Sequence, residues 1–308
     1  MTELKALVKR NTKLFFKDKG LFFTSLVTPM ILLLLYVTFL GKVYRDSFLL
    51  ILDGVGLKSE IPERLVDACV GGQLMSSLLA VCCVTVAFCS NMLMVNDKVN
   101  GSANDLNITP VKSSSLALAY YFSTAFSTLI VCFSAAMVCM IYLTFVGWYM
   151  SVIDIAFLLL DVFLLVMSGT AMSSIINIFL SSQGQISAVG TIVSSGYGFI
   201  CGAYMPISQF PESLQKVIAF LPGTHGTSLL RTHSMSGAFR EMSAIGVPND
   251  VINGLKSTVD CNVNFFGTKV GVPAMYLVLV GSCVLLISVY ILIMIAFRRS
   301  SEKRFDTL

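Results

Sequence analysis

From Val162 to Pro211 the chain carries no charged residue. A helix needs about 20 apolar residues to cross a bilayer, so this run is too long for one crossing. The polar Ser181-Ser182-Gln183-Gly184-Gln185 divides it into two. In lipid every backbone polar group must be satisfied internally, which leaves helices as the natural solution for such segments. The whole chain agrees: it is 56% hydrophobic and 12% charged, with a mean hydropathy of +0.82, whereas soluble domains carry roughly a quarter charged residues. An all-α integral membrane protein is expected.

Charge-poor segments at 21–40, 69–95, 116–146, 153–180, 186–205 and 272–297 predict six spans in a single domain covering 1–308. Their orientation follows from basic residues near span ends. Lys5, Lys9, Arg10, Lys13, Lys17 and Lys19 precede the first span, and Arg298, Arg299, Lys303 and Arg304 follow the last. Both termini are expected in the cytoplasm of a plasma-membrane protein, with 41–68 and 206–271 outside. The first apolar run reads as a retained anchor rather than a cleaved signal. The net charge of +4 reflects this asymmetry and is not a nucleic-acid footprint.

In residues 1–19, Leu4, Leu7, Val8, Leu14 and Phe15 fall on one side of a helical wheel while lysines step along the other. That pattern predicts an interfacial elbow helix with its apolar face in the acyl boundary. Between spans two and three, 96–112 is rich in Asn and Asp, which favour caps and turns. Thr109-Pro110 ends any helix there. A short polar helix projecting into the cytoplasm is expected.

At the other side, 206–271 opens with Pro206, Pro211 and Pro222. Proline cannot continue a helix interior, so span five stops near Met205. The amphipathic Leu214, Val217, Ile218 and Leu221 then form a short helix that lies in or re-enters the interface. Irregular backbone at that depth survives only against protein or a water-filled cavity, which suits a gate. His225 is expected to orient backbone after the Pro222 turn. Nine cysteines show no metal-type spacing, and only Cys69, Cys201 and Cys261 lie where an oxidising exterior is in reach.

Together these pieces resemble the type-2 family of ABC transporter permeases, whose fold is shared with the G subfamily of ABC exporters. Four stretches carry the resemblance. The first is the basic elbow through Phe15-Phe16-Lys17-Asp18-Lys19 into a span with Pro29. The second is the loop Asp97-Lys98, Gly101-Ser102, Asp105-Leu106 and Thr109-Pro110-Val111, which is poorer in Glu and Arg than is usual in the family. The third is Gly202, Tyr204-Met205-Pro206, Pro211 and Leu214-Gln215. The fourth is Leu221-Pro222, Thr224-His225 and Leu229-Leu230-Arg231.

The resemblance implies two permease subunits, identical or paralogous, around a central pathway, and two ABC ATPase subunits that bind ATP and Mg. No cofactor is expected on this chain, since the P-loop Gly-Lys-Ser/Thr is missing and Gly41-Lys42 is followed by Val43. The chain itself is then not an enzyme, and a separate ATPase chain is the more bacterial arrangement. It further implies that 96–112 couples to the ATPase through Asp97, Lys98, Gly101, Asp105, Leu106 and Pro110, and that Met205, Pro206, Pro211, Pro222 and His225 form the re-entrant gate. The external segment resembles that of drug, lipid or peptide exporters, with an amphipathic substrate.

Spans two and five mix polar and apolar residues, Gln73, Ser77 and Asn91 in one and Thr191, Ser194 and Tyr197 in the other. The family places pathway walls there, while small residues also serve close helix packing in membranes. Asp154 and Asp161 are the only charges in span four. An ionisable group in the bilayer normally faces the bundle interior or a cavity. Asp161 would hold a cationic substrate, relay a proton, tie two helices or stay protonated. As coupling site it defines the competing reading, an ion-driven secondary transporter, although no inverted repeat of the kind such carriers show is visible.

Overall fold

A computed structural model describes residues 2–57, 59–107, 111, 113–265 and 267–305. Pro110 and the Thr109 before it lie outside the described residues.

The protein is a helical bundle. Helix α1 (Thr2–Lys17) ends where Asp18 caps α2 (Lys19–Leu35), its side chain accepting from Leu21 N at 3.0 Å. Helix α2 holds Pro29 and passes through a π turn (Tyr36–Leu40) into α3 (Gly41–Gly54). The connector after span one is therefore mostly helix. Tyr44, Phe48 and Leu52, four residues apart, bury one face of α3 and carry the helix past the expected end at Leu40. Helix α4 (Glu63–Val99) starts six residues before the expected span. A short α5 (Ser102–Asn107) follows, then α6 (Ser113–Val146), α7 (Val152–Phe179) and α8 (Gln183–Ile200). Ser151 begins α7 with a capping box shared with Asp154, and Ser182 caps α8 by accepting from Gln185 N.

Beyond α8, a 3-10 turn (Ile207–Gln209), α9 (Glu212–Ile218), α10 (Pro222–Ala244) and α11 (Asn249–Thr258) lead to a hairpin of β1 (Asn264–Phe265) and β2 (Thr268–Lys269). Helix α12 (Val272–Phe305) closes the described chain.

Among the described residues, five helical segments are long and apolar enough to cross a membrane: Lys19–Gly54, Glu63–Val99, Ser114–Val146, Val152–Phe179 and Val272–Ala296. Helix α8, at 18 residues and rich in Ser and Gly, does not join them on those grounds. It stops at Ile200 rather than 205 because Gly202 takes a left-handed φ of +76°.

Helix α4 is the axis of the bundle, packed by α2, α6, α7, α8 and α10. Its most apolar window is 89% buried, against 17% for that of α12. Helix α10 lies inside the bundle against α4, α7 and α12, a position that the reading of 206–271 as an external segment with one short re-entrant helix did not contain. Glycines let it in. A Cβ on Gly237 would sit 2.0 Å from the Tyr149 carbonyl oxygen, and one on Gly226 2.4 Å from Leu165. Helix α1 also differs from expectation. Leu7 and Phe15 are buried, and the helix packs on α6, so much of its apolar face meets protein rather than lipid. Its lysines remain exposed.

Candidate functional site

Two polar systems stand out. The first lies where α4 ends and α5 begins. Asp97 is 6% exposed, and its carboxylate accepts from Arg10 of α1 (Nη1 2.7 Å, Nη2 3.3 Å) and from the Tyr120 hydroxyl of α6 at 2.6 Å. That hydrogen bond and the negative charge raise the Arg10 pKa further. Next along, Lys98 Nζ donates to the carbonyls of Asn177, Ile178 and Leu180 at 3.0, 2.8 and 3.3 Å. Those carbonyls stand at and just past the end of α7, where a cation is favoured by the helix dipole. Gln183 at the start of α8 donates to Asn96 at 3.0 Å.

Gly101 has a φ of +80°, which turns the chain sharply into α5. Asp105 stands exposed on that helix and Leu106 is half-buried. The loop residues singled out in the sequence thus divide. Asp97 and Lys98 grip their own bundle, whereas Asp105 is open to a partner. Arg10 and Tyr120 were not foreseen. The available signal was one arginine among the lysines of the basic helix, since a guanidinium suits bidentate pairing.

The second system is the seam around α10. Arg231 is fully buried. It donates to the Gly202 carbonyl beyond α8, sits 3.7 Å from Asp260, and faces the Gln73 amide oxygen of α4 at 3.2–3.3 Å once that amide is oriented to accept. Burial pushes the Asp260 carboxyl up, opposed by Arg231 and the Ile207 N–H. Asp260 also holds a positive φ of 51°, uncommon for a residue with a side chain.

Two rungs then join α7 to α10. At the outer one, Asp154 takes Arg240 bidentately (3.0 and 2.5 Å) and Ser236 at 2.6 Å. Deeper, Asp161 is fully buried, with His233 Nδ1 2.6 Å from one oxygen and the Tyr276 hydroxyl of α12 2.6 Å from the other. Phe157 stacks on the His233 ring at 5.1 Å. Both oxygens of Asp161 are taken by helix neighbours.

The remaining sequence candidates scatter. Asn91 is buried and bonds Ser173, Ser174 and Thr124, and Ser77 is 2% exposed. On α8, Thr191 is exposed and Ser194 and Tyr197 are partly covered. The Tyr197 hydroxyl points at Gly223 without a hydrogen-bond partner. Pro206 and Pro211 precede the 3-10 turn and α9, Pro222 is the first residue of α10, and Met205 is half-buried. His225 Nε2 lies 2.8 Å from the Ala219 carbonyl and Thr224 bonds that of Ile218, so the pair locks the turn between α9 and α10. Cys69, Cys201 and Cys261 are buried free thiols, and burial holds that of Cys261 up at about 12.

Long apolar helices around a buried polar seam define a multi-pass membrane protein. The family model for the ABC-2 type transporter matches residues 2–233, most of the chain. The protein therefore belongs to the ABC-2 type transporter family, as a membrane permease component. No curated protein matches it.

Proposed function

We propose that this chain is the permease subunit of an ATP-driven exporter of amphipathic molecules, with ATP and Mg held by two separate ABC ATPase subunits. The observation that carries the reading is the grip around Asp97 and Lys98. A stroke delivered to α5 meets a junction already bonded to α1, α6, α7 and the start of α8, so it would move these elements together. Asp105, exposed on α5, would face the ATPase. Helix α8 would be the sixth span, giving an even number and two cytoplasmic termini, and its exposed Thr191 and Ser195 would meet a second permease, identical or paralogous, across the pathway. The locked turn at His225 would form the roof, with the whole assembly in a bacterial plasma membrane. The pairing of Asp161 with His233 and Tyr276 favours a helix contact over an ion-coupling site.

The test is purification of the tagged chain in mild detergent. An ATPase chain should co-purify stoichiometrically, be lost on Asp105→Lys, and account for all nucleotide binding. Tight ATP binding by the isolated permease would overturn the assignment.

A further inference from the structure

We propose that a lateral groove between α2, α3, α4 and α6 is a binding site for a bilayer phospholipid with a zwitterionic headgroup. The groove encloses about 1100 Å³, enough for a lipid tail and head. It shares no lining residue with α8 or α10, so neither the polar seam nor the proposed pathway accounts for it. The inference needs only that the protein sits in a membrane, not that it is an exporter.

The groove exists because span one touches α4 at separate points. Leu32 and Tyr36 are buried, while Met30 and Val37 are 60% and 77% exposed along the open side. Pro29 removes one backbone hydrogen bond, and the π turn at Tyr36–Leu40 adds a further irregularity of a kind found often at functional sites. The Tyr36 hydroxyl fastens the turn to the Val70 carbonyl. At Gly41 a side chain would press on the Tyr36 carbonyl oxygen at 2.9 Å.

Two zones divide its wall. Leu33, Leu74, Leu78, Ala135 and Val138 make the long zone apolar. At the end where α4 begins, Lys42 and Arg45 stand beside Asp46 and Asp67. Arg45 is held by Glu63 at 2.9 Å and Asp67 at 3.4 Å. The side chains of Lys42 and Asp46 are exposed, with no ion-pair partner among the described residues.

From Leu26 to Lys42 the helical rise amounts to about 24 Å. That is close to one leaflet, half of a bilayer roughly 40–45 Å thick with its headgroups. An acyl chain thus fits the apolar zone while the head reaches the ionic rim. The rim carries both signs: Lys42 answers a phosphate and Asp46 an ammonium, with the paired Arg45 and Asp67 beside them. A purely anionic head would leave Asp46 unanswered, and a sterol would leave both Lys42 and Asp46 so.

The test uses the full chain with its co-purifying subunits in phosphatidylglycerol nanodiscs containing a small fraction of phosphatidylethanolamine with a diazirine in its acyl chain. After illumination, labelled peptides are mapped. Label should concentrate on α2, α4 and α6 at least about fivefold over the exposed face of α12. Val138→Trp, at a 66% exposed position, should plug the groove and cut that label by about tenfold, a 1.4 kcal/mol step. Lys42→Ala with Asp46→Ala, both at the surface, should cut it by about threefold, the range of exposed charge pairs, and keeps the test decisive should the tryptophan variant misfold. Label no denser than on α12 would mean ordinary surrounding lipid and overturn the proposal. Equal capture of a diazirine phosphatidic acid, which has no ammonium, would overturn it as well.

Discussion

Helices α10 and α12 invert the usual relation between hydropathy and burial. Helix α12 is among the most apolar parts of the chain, yet only 17% of its apolar window is buried in the protein. Helix α10 carries Arg231, His225, His233 and a run of Ser, Thr and Gly, and is buried along most of its length. In water the polar helix would lie outside. In a membrane the outer solvent is hydrocarbon, which rewards Leu and Val on the surface and drives polar groups to meet one another inside. Helix α12 is held by solvent, whereas α10 is held by named contacts.

That contrast breaks most easily at Arg231. Arg231→Ala leaves Asp260 and Gln73 without their partner at a fully buried site, and losing one member of a buried pair costs about 3–5 kcal/mol. The variant should melt far below wild type in detergent or fail to accumulate. Wild-type stability would show that the seam is not what holds α10. Gly237→Ala comes next. Its new methyl meets the Tyr149 carbonyl, and overpacking of this kind costs about 1–3 kcal/mol. In α12, Gly281 has nothing within 4 Å of an added Cβ, so Gly281→Ala should stay within about 0.5 kcal/mol. Equal melting shifts for the two alanines would erase the difference between the helices.

The same inversion decides what was legible in the sequence. Long apolar runs announce themselves whether they face lipid or, like α4, the bundle interior, so α2, α4, α6, α7 and α12 were found from them alone. Helix α10 was not, because its small polar residues read as an external segment. Helix α3 was missed because Gly41 and Lys42 look like a span's end, whereas the aromatic face of Tyr44 and Phe48 carries the helix on. At the loop end, Asn and Asp favour caps and turns, a short polar helix was expected there, and α5 lies in that stretch. What no local signal contained was that Asp97 would meet Arg10, 87 residues away. Likewise Asp161 stood out as an intramembrane charge, but His233 and Tyr276 come from α10 and α12, and only the packing of three helices identifies them.

A smaller effect is expected at Asp161. Asp161→Asn keeps the shape but leaves a single oxygen to accept from both His233 and Tyr276, so one buried group loses a partner, costing about 1–3 kcal/mol. Stability should fall modestly, and transport of cationic and neutral substrates should fall alike. Selective loss of cationic substrates would place Asp161 on the pathway instead of in the seam.

Among the polar contacts the smallest change in stability belongs to Arg10, and here function and stability should separate. Arg10 is about a third exposed while Asp97 is nearly buried, and solvent screening keeps exposed ion pairs near 0–1 kcal/mol. Tyr120 still donates to Asp97 when the guanidinium is gone. Arg10→Ala should therefore melt within about 1 kcal/mol of wild type. Yet it unfastens α1 from the α4–α5 junction, so on the proposed function nucleotide-driven transport should drop well beyond that stability change, while assembly with an ATPase docked at Asp105, as proposed, should persist. Arg10→Lys should recover part of it, since an ammonium replaces the charge but not the two-point grip. Full transport in Arg10→Ala would assign the Asp97 junction to mere anchoring, like the α10 seam, and leave the stroke to pass through Lys98 and α7 alone.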